Sequence, residues 1–236
     1  MNHQVLFRDL GRMDYRSAWD LQETHFNAII EQKKRNQNHP ETSPGSTPNY
    51  LFFVEHPPVY TLGKSGDQNN LLISTLELQK IQAEYVETNR GGDITFHGPG
   101  QIVAYPILDL ENFSIGLKTY IEKLEEVVIK TLLDYGISSS RLDQATGVWL
   151  DAGIPGKERK ICAIGVRTSK FVTMHGFAFN INTQLDYFNS IHPCGFTNKG
   201  VTSLEKELGK GIDLEEVKAK LKTHFQQEFS MEWTKG

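Results

Sequence analysis

Residues 161–181 read ICAIGVRTSKFVTMHGFAFNI. Two stretches, 161–166 and 170–181, are rich in β-branched and aromatic residues and read as strands. They follow each other directly, with no room for a crossover helix between them. Working outward, strands are expected at 4–7, 50–54, 59–62, 84–88, 101–110 and 146–150. Helices are expected at 14–32, with Asp14 as N-cap, and at 117–134, closed by Gly136. A last helix begins at Asp213, with Glu216 in capping-box position and an apolar face of Leu214, Val217, Leu221 and Phe225. Strands that run on directly, with helices interspersed, favour an α/β mixed-sheet sandwich over a repeating βαβ array. Residues 33–49 (KKRNQNHPETSPGSTPN) are polar and rich in Pro, Ser and Asn, and are expected to be a flexible loop within a single domain spanning 1–236.

Composition narrows the function. Of 236 residues, 38% are hydrophobic and 23% charged, enough to bury a core, which argues against wholesale disorder. The formal charge of -4 offers no basic footprint for nucleic acid or an anionic membrane. No apolar run approaches the roughly 20 residues of a spanning helix, and the first residues lack a signal-peptide pattern. A cytoplasmic location is expected. Two cysteines make neither a disulfide framework nor a Cys-rich zinc site, and fit a reducing compartment.

The segment 90–101, RGGDITFHGPGQ, holds four glycines and brings backbone within reach of a ligand. It is neither GxxxxGK[ST] nor GxGxxG before a helix, so nucleotide-binding loops are absent. The alternative reading is a pair of tight turns with His97 hydrogen-bonded in the core. Cys194, between Pro193 and Gly195, is presented on a rigid turn, with a backbone N–H nearby for an oxyanion. Cys162 lies in an apolar strand and reads as a small buried hydrophobe. A thiol nucleophile needs a base, for which His97, His175, His192 and Lys160 are candidates that spacing does not separate.

EHPPVYTLG (55–63), RGGDITFHGPGQIVAYP (90–106), RKICAIGV (159–166), HGFAFNIN (175–182) and HPCGF (192–196) occur in that order. Together they resemble the lipoyl(octanoyl) transferase family of lipoate biosynthesis, over roughly residues 50–208. The resemblance implies the fold of the biotin/lipoate protein ligase catalytic domain. It implies transfer of an octanoyl group from octanoyl-acyl carrier protein to a specific lysine of apo lipoyl domains, those of 2-oxoacid dehydrogenase complexes and of the glycine cleavage H protein. Cys194 would carry the acyl thioester and Lys160 would lower its pKa and shuttle the proton. Arg90, Gly91, Gly92, Asp93, Ile94, Thr95, Phe96 and His97 would line the acyl pocket, completed by Ala163, Ile164, Gly165, Gly176, Phe177 and Ala178. No metal, no cofactor, no nucleic acid and no membrane partner is expected, and the chain is expected to be a monomer. Lys157, Arg159, Arg167 and Lys170 are candidates for docking acidic partners. An ATP-dependent lipoate or biotin ligase and a cysteine hydrolase are the competing readings.

Overall fold

The computed structural model describes residues 1–39, 41, 45–192 and 199–234. In chain order the elements are β1 (Gln4–Arg12), α1 (Tyr15–Asn38), β2 (Tyr50–Glu55), β3 (Val59–Leu62), α2 (Thr75–Lys80), β4 (Glu84–Glu87), β5 (Ile94–His97) and β6 (Gln101–Ile107). Then follow α3 (Leu117–Leu133), β7 (Gly147–Leu150), β8 (Arg159–Ser169), β9 (Val172–Asn180), β10 (Gly200–Val201), α4 (Leu204–Leu208), α5 (Leu214–Phe229) and β11 (Glu232–Thr234). The main sheet runs β10-β8-β9-β6-β2-β1-β11, with β7 also paired to β8, and a small sheet runs β4-β3-β5. Pairing is mixed: β1 is parallel to β2 and β11, whereas β2, β6, β9 and β8 are successively antiparallel.

Alternation along the central strands divides the core in two. Phe52, Val54, Val103, Tyr105 and Met174 face α1, which supplies Ala18, Phe26, Ile29 and Ile30. Leu51, Phe53, Ile102, Ala104, Phe177 and Phe179 belong to the opposite cluster with Leu124, Val128 and Leu132 of α3 and Leu221 and Phe225 of α5. Each such buried side chain contributes about 1.5–3 kcal/mol by removal from water. The helix signals act locally. Asp14 accepts from the Ser17 N–H, and Asp213 accepts from the Glu215 N–H, without the Glu216 capping box expected for it. Gly136 (φ +74) closes α3. Its N–H donates to Leu133 O, and the Ile137 N–H donates to Leu132 O, the double bond of a Schellman ending.

Three expectations on element boundaries are corrected. The stretch 33–49 is not loop from its start, because α1 continues to Asn38. Lys33 is buried and pairs with Asp109 and Glu111, which extends the helix's inner face by a further turn. At the other end of that stretch Thr47 and Asn49 are buried, hydrogen-bonded with Asp109 and Asn112. Residue 170 does not begin a strand: Lys170 (φ +48) and Phe171 (φ +62) form the two-residue turn of the β8–β9 hairpin. Residues 94–97, read only as part of a glycine-rich segment, form β5.

Gly176 lies where β9 meets β6. A Cβ there would sit 2.1 Å from Ala104 O and 2.7 Å from Pro106 Cδ. Because the first obstacle is backbone, the sheet must open to admit it. Gly176→Ala is expected to cost about 3 kcal/mol or more. A urea-unfolding midpoint equal to wild type would refute this.

Candidate active site

The RGGD turn is stapled between two strands. Lys64 N–H donates to Arg90 O, Gly63 N–H to Asp93 O, and on the other side Gly91 N–H donates to Val166 O of β8. A side chain at Gly165 would meet Gly91 O at 2.8 Å, so this approach requires glycine. The turn closes one wall of a cavity of about 1010 Å³. Arg90–Thr95 and His97 line it, as do Ala163–Gly165, Gly176–Ala178 and Lys160. Phe96 does not: it is buried with Tyr60 and Leu78 in a separate cluster and stacks on Tyr187, ring centroids 4.4 Å apart. Apolar surface comes also from Leu117, Ile121, Ile164, Phe177 and Phe188.

Lys160 is half-buried on the wall. Its position follows from a bulge. Val148 pairs with Cys162 and Trp149 with Lys160, so β8 carries one extra residue, Ile161, against β7. The bulge lets Ile161 and Cys162, neighbours in sequence, both enter the core, while Lys160 turns to the cavity. Lys160 Nζ donates to Thr146 O at 3.2 Å and lies 4.7 Å from the Trp149 ring centroid. Cys162 is fully buried, and burial pushes its thiol pKa well above the usual value. It is a core side chain rather than a reactive thiol. Cys194 lies outside the described residues. The described chain before and after it, His192 and Lys199, lines the cavity.

A buried polar chain supports the glycine-rich wall. Arg90 donates through an Nη to Thr61 Oγ1 (2.9 Å), and Thr61 Oγ1 pairs with His97 Nε2 (3.2 Å). His97 Nδ1 faces Gln101 Oε1 (2.9 Å), and Gln101 Nε2 donates to Asn180 Oδ1 (2.9 Å). Asn180 Nδ2 donates to Thr202 O, just past the rim residue Lys199. The network assigns the His97 proton to Nδ1. Sequence reasoning gives no role to Thr61 or Asn180; each is a single polar residue in an apolar run, a signal that spacing does not interpret.

Three histidines cluster here and are neutral. Burial, then His56 and Arg90, hold the His97 pKa well below the ordinary value. Burial brings His56 down to about 4, and burial with Arg90 and Arg167 brings His175 to about 3. His175 pairs through Nε2 with Asn89 Oδ1 at 2.7 Å. So low a pKa makes His97 and His175 weak general bases at neutral pH. Of the expected docking cations, Arg159 pairs with Glu207 and Asp151, and Arg167 with Glu23. These internal partners offset their charge. Among the described residues no three His, Cys, Asp or Glu groups converge as a metal site. No helix among them is long and apolar enough to cross a membrane.

A mixed sheet with a Gly-rich wall beside a half-buried lysine is an arrangement that comparison places in a family. The chain belongs to the lipoyl protein ligase A/B catalytic domain family, whose model matches residues 14–226. Within it, the chain is 55% identical over 233 residues to the octanoyltransferase of Christiangramia forsetii, covering 98% of each. It is 52% identical over 233 residues to the octanoyltransferase of Flavobacterium johnsoniae, covering 98% of this chain and 99% of that one. Its fold is similar to that in an archaeal lipoylation system, a bi-partite lipoate protein ligase and its E2 lipoyl domain from Thermoplasma acidophilum. There the TM-score is 0.69 at 14% identity, covering 100% of this chain and 87% of that one. The biotin protein ligase from Aquifex aeolicus, in complex with biotin and ATP, is similar at a TM-score of 0.51 and 14% identity, covering 95% of this chain and 70% of that one. The mixed-sheet fold is thus that of lipoate and biotin protein ligases.

Proposed function

We propose that the chain transfers an octanoyl group from octanoyl-acyl carrier protein to a specific lysine of apo lipoyl domains, through a thioester on Cys194 with Lys160 as its partner. The observation that carries this is the half-buried side chain of Lys160 on the wall of a largely apolar cavity, whose lining includes the described chain on both sides of Cys194. The high identity to proteins named octanoyltransferase favours a transferase over a ligase. The neutral, weakly basic His97 and His175 disfavour a cysteine hydrolase that uses either of them as its base.

In the first half-reaction the Cys194 thiol passes its proton to Lys160, the thiolate of the resulting thiolate–ammonium pair attacks the donor thioester, and the carrier leaves as its thiol with the proton that Lys160 returns. In the second, the ε-amine of the acceptor lysine attacks the enzyme thioester, forms the amide and returns the thiol. No nucleotide is consumed, because a thioester is already activated toward an amine. Burying an octanoyl chain at about 0.8 kcal/mol per methylene supplies roughly 5 kcal/mol, enough to discriminate among chain lengths. The acceptors on this reading include lipoyl domains of 2-oxoacid dehydrogenase complexes and the glycine cleavage H protein, and the protein works as a monomer in the cytoplasm.

Intact-mass analysis tests the reading. Mixed with octanoyl-acyl carrier protein and no ATP, the enzyme is expected to gain one octanoyl group, mapped to Cys194 by peptide sequencing and discharged by an apo lipoyl domain. No adduct, together with transfer that requires ATP and free octanoate, would replace the transferase with a ligase.

A further inference from the structure

Lys160 is held by a peptide group that is itself held from the other side. The Thr146 carbonyl accepts from Lys160 Nζ at 3.2 Å. The N–H of the same amide, that of Gly147, donates to Glu125 Oε1 at 3.0 Å. Glu125 projects from α3 and is buried, and its second oxygen accepts from Arg141 Nε at 2.9 Å. Gly147 has φ +126, and a Cβ on it would meet Cys162 O at 2.5 Å and Lys160 Cε at 3.5 Å. Only glycine therefore lets this peptide turn its two ends toward Glu125 and Lys160 at once.

We propose that Glu125 is a positioning residue for Lys160, acting through the shared Thr146–Gly147 peptide. A carboxylate on an amide N–H polarises the amide and strengthens its carbonyl as an acceptor. The strengthened carbonyl and the Trp149 ring face both favour the ammonium form of Lys160 and fix its position. Arg141, which also pairs with Glu126, offsets the buried charge of Glu125. Other ionisable groups around Lys160 include Cys162 two residues along β8, and Lys199 and Lys206 on the cavity rim, with Glu158 paired to Lys199. Arg90, Asp186 and His192 also line the cavity. Substitution at Glu125 leaves all of these in place; the charge it removes also acts through space, as it does on Cys162, so the Gly147 amide proton is the readout specific to the peptide. The role of Lys160 in this inference rests on the function proposed above; the linkage itself does not.

The test is the NMR titration of the Lys160 side chain in the full-length protein, labelled at lysine Cε and Nζ and assigned with Lys160→Arg. Glu125→Gln keeps an oxygen for the Gly147 N–H but removes the charge. It is expected to lower the Lys160 midpoint by about half a unit to one unit, roughly a threefold to tenfold loss of proton affinity. Glu126→Gln, which removes a charge from the same arginine without touching the peptide, is expected to move it by less than a third of that. In the wild type, the Gly147 amide proton is expected to shift in step with Lys160, a readout that stands even if Glu125→Gln does not fold. An unchanged midpoint in Glu125→Gln, equal shifts in the two variants, or a Gly147 amide that ignores the lysine titration would each overturn the proposal. The titration uses no substrate. If Lys160→Ala retained octanoyl transfer, the proposed partner role would fail while the measured linkage stood.

Discussion

Cys194→Ala is expected to abolish octanoyl transfer, by about four orders of magnitude or more, while leaving the thermal unfolding of the protein unchanged. A covalent route has no substitute for its nucleophile, and the remaining binding energy cannot form the thioester. Cys162→Ala is the matched control. Its sulfur is fully buried in the cluster beneath α3 and α5, so loss of that atom is expected to cost about 1–2 kcal/mol of stability and little activity. Steady-state transfer from octanoyl-acyl carrier protein to a lipoyl domain, run beside urea unfolding, separates the two. Inactive Cys162→Ala with active Cys194→Ala would reverse the assignment.

The histidine cluster predicts steep acid sensitivity. His56 and His175 have folded pKa values lowered to about 4 and about 3, and His97 is held well below its ordinary value of 6.5. For each, the unfolded chain binds the proton more readily. The stability tied to the neutral form is thus complete above about pH 6.5 and falls as pH drops toward the folded values. Each histidine contributes up to about 1.4 kcal/mol per pH unit in that window. Between pH 6.5 and 4.5 the cluster is expected to remove on the order of 5 kcal/mol, comparable to the whole stability of many domains. Carboxylates with lowered pKa, such as Glu207, act below this window. Urea midpoints at pH 7, 6 and 5 measure the effect, and His56→Gln should reduce the slope by about one histidine's share. A flat profile from pH 7 to 5 would show that the three rings are not buried neutral groups.

Much of the frame is legible in the amino-acid sequence. Asp14 and Asp213 cap their helices, Gly136 ends α3, and the strands 50–54 and 59–62 lie where β-branched and aromatic residues cluster. Arg90–Thr95 and His97 of the glycine-rich segment, with the AIG and GFA segments, do converge on one cavity, whereas Phe96 and residues 98–100 do not line it. What is not legible shares a cause. The stretch 33–38 reads as loop because its residues are polar, yet Lys33 is buried against Asp109, a partner 76 positions away. Glu125 carries no signal in the helical pattern of 117–134, yet it binds a backbone N–H from another element.

The sequence alone determined the caps, the helical faces and the kinds of residue available for chemistry, because these depend on neighbours within a few positions. Tertiary structure decided where those residues act. A one-residue bulge at Ile161 turns Lys160 into the cavity while Cys162 stays in the core, and one rotated peptide joins that lysine to Glu125. Strand register and peptide orientation are settled by packing across the sheet, where segments remote in sequence compete for the same space, and no local pattern of residues records the outcome.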